Sequence, residues 1–76
     1  MKKEEFLVAL EDVLQRDDAC NTEDILADYE EWDSLSKMAT MAYFDKNFGI
    51  KIKLNEISQF KTVQDLINLA GDQISD

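Results

Sequence analysis

Residues 33–49 of this 76-residue chain read DSLSKMATMAYFDKNFG, and this stretch predicts the central helix of the fold. The carboxylate of Asp33 can accept hydrogen bonds from the free amides of a helix that begins at Ser34. Neither Gly nor Pro interrupts the run from Ser34 to Phe48, and Gly49 supplies a typical helix stop. The sequence therefore predicts a helix over residues 34–48.

An amphipathic segment and a long polar segment precede this helix. Apolar residues near the amino terminus follow the spacing i, i+1, i+4, i+7, i+8, which predicts a first helix over residues 3–16. Residues 17–33 fit neither the helical nor the strand period, so we predict a long ordered loop. Four apolar residues are expected to hold the loop against the helices: Ile25, Leu26, Tyr29 and Trp32.

The carboxyl-terminal third predicts a connector, a short helical turn and a last helix. Residues 50–54 alternate between apolar side chains and lysines, but no second strand-like run could pair with them, so we expect a connector. Residues 55–60 can form one helical turn, and Thr62 with Asp65 has the spacing of a capping box. The last helix has an apolar stripe of Val63, Leu66, Ile67, Ala70 and Ile74. The expected fold is all-α: a small four-helix bundle, three main helices and one short, in a single domain of residues 1–76.

Composition excludes several classes of function. Seventeen acidic and eight basic residues give a net charge of −9, which argues against gripping nucleic acid. The chain has no His and one cysteine, Cys20, so His-dependent hydrolases, Cys/His zinc clusters and an intramolecular disulfide are excluded. The acidic residues between Asp17 and Asp28 lack the Gly of an EF-hand loop, and no metal site is expected. The longest apolar run, residues 6–10, is too short to insert in a membrane, and we expect a cytoplasmic protein.

The negative charge is concentrated in one part of the chain. Residues 11–33 contain ten acidic residues and a single basic one, Arg16, so this segment carries the whole net charge of −9. The predicted helix over residues 34–48 has Lys37 and Lys46 against Asp45 and is nearly neutral at +1. The acidic neighbours of Cys20 disfavour its thiolate, so we expect no reactive role for this thiol.

The motif Asp33-Ser34-Leu35 at the start of the second helix, after a long first loop, resembles the D-S-L motif of the carrier-protein family. This family comprises acyl carrier proteins and the related peptidyl and aminoacyl carriers. The resemblance continues at Phe48 and Ile52, which match apolar positions after helix two. It also includes residues 60–63, which match the entry to the last helix, so that essentially the whole chain is covered.

The resemblance implies a chemical role for the motif. Ser34 would carry a 4′-phosphopantetheine arm, attached through a phosphodiester by a phosphopantetheinyl transferase that uses coenzyme A, with Asp33 and Leu35 as the flanking motif residues. The arm would hold an acyl or aminoacyl group as a thioester. The chain itself would be no enzyme, and its partners would be the transferase and the acyl- or aminoacyl-loading and transfer enzymes. A monomer is expected.

Helix two departs from the fatty-acid-synthesis pattern. Carriers of that pathway typically show a strongly acidic second helix, whereas residues 34–48 sum to +1, so the resemblance favours a dedicated pathway. The large rings of Phe6, Phe44, Phe48 and Phe60 are expected to leave little core space. A short acyl or aminoacyl cargo is therefore predicted.

Helix two is also the predicted recognition surface. Its apolar residues extend more widely around the helix than a core stripe requires, so some must face outward. We expect Met41, Phe44 and Phe48 to face the core, and we expect a partner-facing patch of Leu35, Met38 and Ala42. Two alternatives stay open: an unmodified acidic adaptor that binds a protein through helix two, and an acidic inhibitor that mimics nucleic acid.

Overall fold

The computed structural model describes residues 1–75, and these contain four α-helices. The helices are α1 (Lys3–Leu14), α2 (Ser34–Phe48), α3 (Leu54–Ile57) and α4 (Val63–Ala70), with 3-10 turns at Leu26–Asp28 and Gly71–Gln73. No β-strand occurs within the described residues, where only two isolated bridges pair Lys2 with Ser75 and Ile25 with Thr62. The predicted all-α bundle, with three main helices, one short helix and a long first loop, is confirmed.

Three helices have bounds that differ from the sequence prediction. Helix α1 ends at Leu14, two residues early, because Gln15 adopts a left-handed conformation (φ 58°). Helix α3 spans only residues 54–57 instead of 55–60. Ile74 was expected in the last helix, but Gly71 leaves the helical conformation at φ 60° and a 3-10 turn follows. Ile74 is nevertheless buried, in an extended conformation after the turn.

An aromatic cluster joins α1 to α2. The ring of Phe6 meets the ring of Phe44 edge-on at 5.9 Å, and Phe44 meets Phe48 at 5.1 Å. Tyr43 extends the cluster, 5.9 Å from the Phe48 ring. Such edge-to-face pairs add to the free energy gained by burying the rings. Other fully or almost fully buried core residues come from α1, the loop, α3 and α4: Leu10, Leu26, Ile57, Val63 and Leu66.

The buried face of α2 has an unexpected composition. Ser36, Thr40 and Phe44, spaced four residues apart, are its buried residues. The hydroxyl of Thr40 is fully buried and donates to the carbonyl of Ser36 at 2.9 Å, so this polar group is satisfied within the helix. Of the three residues expected to face the core, Phe44 is fully buried, while Met41 and Phe48 are half-buried against it.

The long loop is ordered and anchored to α4. The amide of Leu26 donates to the carbonyl of Lys61 at 2.8 Å, and the amides of Val63 and Gln64 donate to carbonyls of the loop. Leu26 and Tyr29 are buried and Trp32 is half-buried, as predicted. Ile25 was expected to contact the core as well, but it is 43% exposed, and it pairs with Thr62 through a backbone bridge.

Ile25 and Leu26, which are adjacent in the loop, allow a matched test of whether the buried Leu26 anchors the loop to the core. Leu26→Ala should lower the free energy of unfolding by about 2–5 kcal/mol, since it empties a fully buried site. Ile25→Ala should change it by no more than about 0.5 kcal/mol, as is usual for surface substitutions. Urea denaturation followed by circular dichroism measures both, and equal losses would show that the loop is not anchored through Leu26.

Candidate functional site

Two reciprocal hydrogen bonds fix the start of α2. The carboxylate of Asp33 accepts from the amide of Ser36 at 2.9 Å, and the hydroxyl of Ser36 accepts from the amide of Asp33 at 2.9 Å. The carbonyl of Asp33 also accepts from the amide of Lys37 at 2.9 Å. This arrangement is a capping box, and it confirms Asp33 as the predicted helix cap.

The two serines at the start of α2, Ser34 and Ser36, have different environments. Ser36 is buried, and its hydroxyl takes part in the capping box. Ser34 occupies the first position of α2 and is exposed, and its hydroxyl makes no hydrogen bond within residues 1–75. Of these two hydroxyls, that of Ser34 is therefore the one open to an external reagent.

The charges around Ser34 act in opposite directions. The amides of the first helical turn and the helix dipole favour an anion beside Ser34. The exposed carboxylates of Glu30 and Asp33 oppose it, whereas Glu31 is paired with Arg16 at 2.8 Å. A phosphate at this position would therefore be solvated and held only weakly.

The hydrogen bond from the Ser36 amide holds the pKa of the Asp33 carboxyl below its usual range. Hydrogen bonds from the hydroxyl of Tyr29 and the amide of Asn21 lower the pKa of Asp24 in the same way.

Burial is the main cause that raises the pKa of the Cys20 thiol, which agrees with the expectation that this cysteine is unreactive. Cys20 is also a core residue, 3% exposed, which sequence reasoning missed.

The three predicted recognition residues form an exposed ridge along α2. Leu35 is 77% exposed, Met38 is 56% exposed, and Ala42 is also exposed. A cleft of about 290 Å³ lies on one side of the ridge, against the end of α1 and the loop, and a groove of about 310 Å³ lies on the other, beside residues 51–52. The ridge and Ser34 therefore share the solvent-facing side of α2.

Arg16 is the residue near this site that sequence reasoning missed. Its guanidinium carbon lies 3.7 Å from the centre of the Tyr29 ring, and its side chain bonds Glu31 at 2.8 Å. The signal was present in the charge pattern, because Arg16 is the one basic residue among ten acidic ones in residues 11–33.

Comparison with known families identifies the family of this chain. A family model described as a phosphopantetheine attachment site matches residues 4–70. The chain belongs to this family. It is therefore a carrier protein and not an enzyme, and 4′-phosphopantetheine is the group that carriers bear covalently. Such carriers interact with phosphopantetheinyl transferases and acyl-handling enzymes. Searches of curated proteins and of solved structures found no match.

The start of α2 fits a covalently attached phosphate ester. Ser34 offers a free hydroxyl on an exposed first turn, and no side chain of the capping box would have to move to admit the ester. When attached, the arm supplies a thiol that can hold a cargo as a thioester. The described residues contain no group of three His, Cys, Asp or Glu side chains suited to a metal ion. No helix within residues 1–75 is long and apolar enough to cross a membrane.

The lowered pKa of Asp33 predicts a pH-dependent contribution of the cap to stability. A carboxyl whose folded-state pKa is depressed stabilises the fold above its unfolded pKa of about 3.9, and this stabilisation is lost as the pH falls through the folded value. Wild type should therefore melt several degrees above Asp33→Ala at pH 7, and the difference should shrink below about pH 4.

Asp33→Asn is the matched control, because its amide oxygen can cap the helix but does not titrate in this range. Thermal melts of the three proteins from pH 7 to pH 3 measure the effect. If the advantage of Asp33→Asn over Asp33→Ala varied with pH as strongly as that of wild type, the effect could not be assigned to the Asp33 carboxyl.

Proposed function

We propose that Ser34 is the residue that carries the 4′-phosphopantetheine arm. One observation carries this proposal: the hydroxyl of Ser34 is exposed and unbonded at the first position of α2, whereas the hydroxyl of Ser36 is buried in the capping box. A transferase can reach the first hydroxyl without unfolding the helix. Reaching the second would break the cap.

In this proposal the residues on either side of Ser34 have separate tasks. Asp33 holds the backbone of the first turn in one conformation through its bond to the Ser36 amide, so Ser34 is presented at a fixed position. Leu35 exposes most of its side chain beside the attachment point and offers an apolar contact to the transferase. The chain supplies the hydroxyl and the recognition surface, and the transferase supplies the catalysis.

The proposed cargo is a short acyl or aminoacyl group in a dedicated pathway. The interior that a long chain would have to enter is filled, since Phe44 of α2, Ile57 of α3 and Leu66 of α4 are fully buried in one cluster. The near-neutral charge of α2 supports a pathway other than bulk fatty-acid synthesis, whose carriers have an acidic second helix.

The proposed partner surface is the ridge of Leu35, Met38 and Ala42. Large apolar side chains with exposures of 77% and 56% do not contribute to the core, and methionine adapts to more than one partner. The same proposal describes residues 1–76 as one monomeric carrier domain in the cytoplasm. Sedimentation and cell fractionation would test those two properties.

Loading with coenzyme A tests the attachment site directly. Incubation with coenzyme A and a broad-specificity phosphopantetheinyl transferase should add the mass of one phosphopantetheine to wild type and nothing to Ser34→Ala. Ser58→Ala is the matched control, because it removes an exposed serine hydroxyl outside the capping box and should still be loaded. Intact-mass spectrometry measures all three proteins, and circular dichroism confirms that each is folded.

Two results would contradict the proposal. Mass addition to Ser34→Ala would place the arm elsewhere. A folded wild type that gains no mass would favour the unmodified adaptor.

Partner binding should depend on apolar contacts more than on ion pairs. Met38→Glu should weaken binding to the loading or transfer enzyme by about tenfold or more, because it places a charge in the apolar ridge. The exposed Lys46→Ala on the same helix should change affinity little. Wild-type affinity should also vary little between low and physiological salt, since apolar burial is not screened.

Isothermal titration calorimetry at two salt concentrations measures these effects. A steep salt dependence together with unchanged binding by Met38→Glu would assign recognition to the acidic loop instead of the ridge.

A further inference from the structure

Arg16 joins the end of α1 to the segment that leads into Ser34. Its side chain is only 11% exposed, lies 3.7 Å from the centre of the Tyr29 ring and bonds the carboxylate of Glu31 at 2.8 Å. The early end of α1 makes this possible, because the turn at Gln15 places Arg16 outside the helix. Arg16 therefore contacts two residues of the loop five and three positions before Ser34.

The segment that Arg16 contacts continues directly into the capping box. The amide of Trp32 donates to the carbonyl of Tyr29 at 3.1 Å, and the amide of Asp33 donates to the carbonyl of Glu31 at 2.9 Å. Asp33 then caps α2. Glu31 is thus connected through a tight turn to Asp33, the residue that caps the first turn of α2. Glu31 and Asp33 also line the cleft of about 290 Å³ beside Leu35.

The surroundings of Arg16 suggest that it orients the loop before Ser34 and contributes little to the free energy of unfolding. The buried Nε of Arg16 has no hydrogen-bond partner within residues 1–75. Removing one partner of a buried ion pair is costly when the other charge stays buried, so the exposure of Glu31 decides whether Arg16 can be replaced. The side chain of Glu31 is 33% exposed and can be solvated when its partner is removed. A methionine at position 16 should therefore leave the protein folded.

We propose that Arg16 is a positioning residue for the modification of Ser34, an inference that rests on the proposed function. It acts through Tyr29 and Glu31 to hold residues 29–33 in the one conformation that a transferase recognises. Without it, Glu31 is released into a segment already rich in acidic residues, and the turn before Ser34 samples other conformations.

This role predicts a change in KM and not in kcat. If only a fraction of the molecules present the docking conformation, the apparent dissociation constant rises by the inverse of that fraction. A competent fraction of about one tenth raises KM about tenfold. Once bound, the Ser34 hydroxyl meets the same catalytic groups, so kcat should change less than about twofold.

Steady-state kinetics of loading by coenzyme A and the broad-specificity transferase test the inference. Arg16→Met should raise KM for the carrier about tenfold at unchanged kcat. Arg16→Lys should be intermediate, because lysine keeps the charge but lacks the planar group that stacks on Tyr29. Ile67→Val in α4 is the stability control, since it removes one buried methyl group on the side of the helix that lies near Lys3 and Ile74. It should leave KM unchanged whatever its effect on melting temperature.

Hydrogen exchange of the unmodified protein supplies a second, activity-independent measurement. The amides of Asp33 and Ser36 should exchange about tenfold faster in Arg16→Met than in wild type, while the amide of Phe44 should keep its rate.

The outcomes separate this inference from the proposed function. A wild type that is loaded on Ser34 while Arg16→Met keeps its KM and its exchange rates would overturn the role of Arg16 alone. A KM raised equally in Ile67→Val would assign the effect to general stability and also overturn it. Failure of the wild type to load would instead remove the proposed function, and with it the reaction that Arg16 serves.

Discussion

The capping box between Asp33 and Ser36 is the interaction on which the rest of the site depends. Two bonds of 2.9 Å order the first turn of α2, and they do so by engaging the hydroxyl of Ser36. Ser34, between the two partners, is left exposed. The same contact therefore builds the helix and selects which of two nearby serines remains accessible. Both results serve the proposed attachment at Ser34, because a modified residue must be ordered enough to be recognised and free enough to react.

Helix α2 divides its surface between stability and recognition. Its inner face is narrow and uses small polar residues, Ser36 and Thr40, whose hydroxyls bond within the helix. The aromatic cluster around Phe44 supplies the apolar contacts to α1. Because these few residues hold the helix in place, Leu35 and Met38 can remain in solvent without weakening the core. This division supports their proposed use as a partner surface.

A few hydrogen bonds and one ion pair hold the acidic segment, residues 11–33, in place against the repulsion among its carboxylates. Residues 11–33 carry the entire net charge, and Arg16 is the one cation among them. Backbone bonds to Lys61 and from Val63 and Gln64 attach the middle of the loop to α4, while Arg16 attaches its end to α1. A long loop in a small domain is thereby fixed at both sides, which keeps the entrance to α2 in place despite the repulsion among its carboxylates.

The sequence by itself determined the helices, the cap at Asp33 and the D-S-L motif, because these depend on residues within four positions of one another. The tertiary structure alone decided which residues beyond that range meet. Arg16 reaches Glu31 only because α1 stops at Gln15, and Cys20 joins the core while Ile25 stays exposed, although nothing local distinguishes them. Ile74 leaves the helical stripe because Gly71 ends α4, yet packing still buries it. Local hydrogen bonds determine where the helices form. Which side chains enter the small core, and which carboxylate pairs with Arg16, depends on how the whole chain packs.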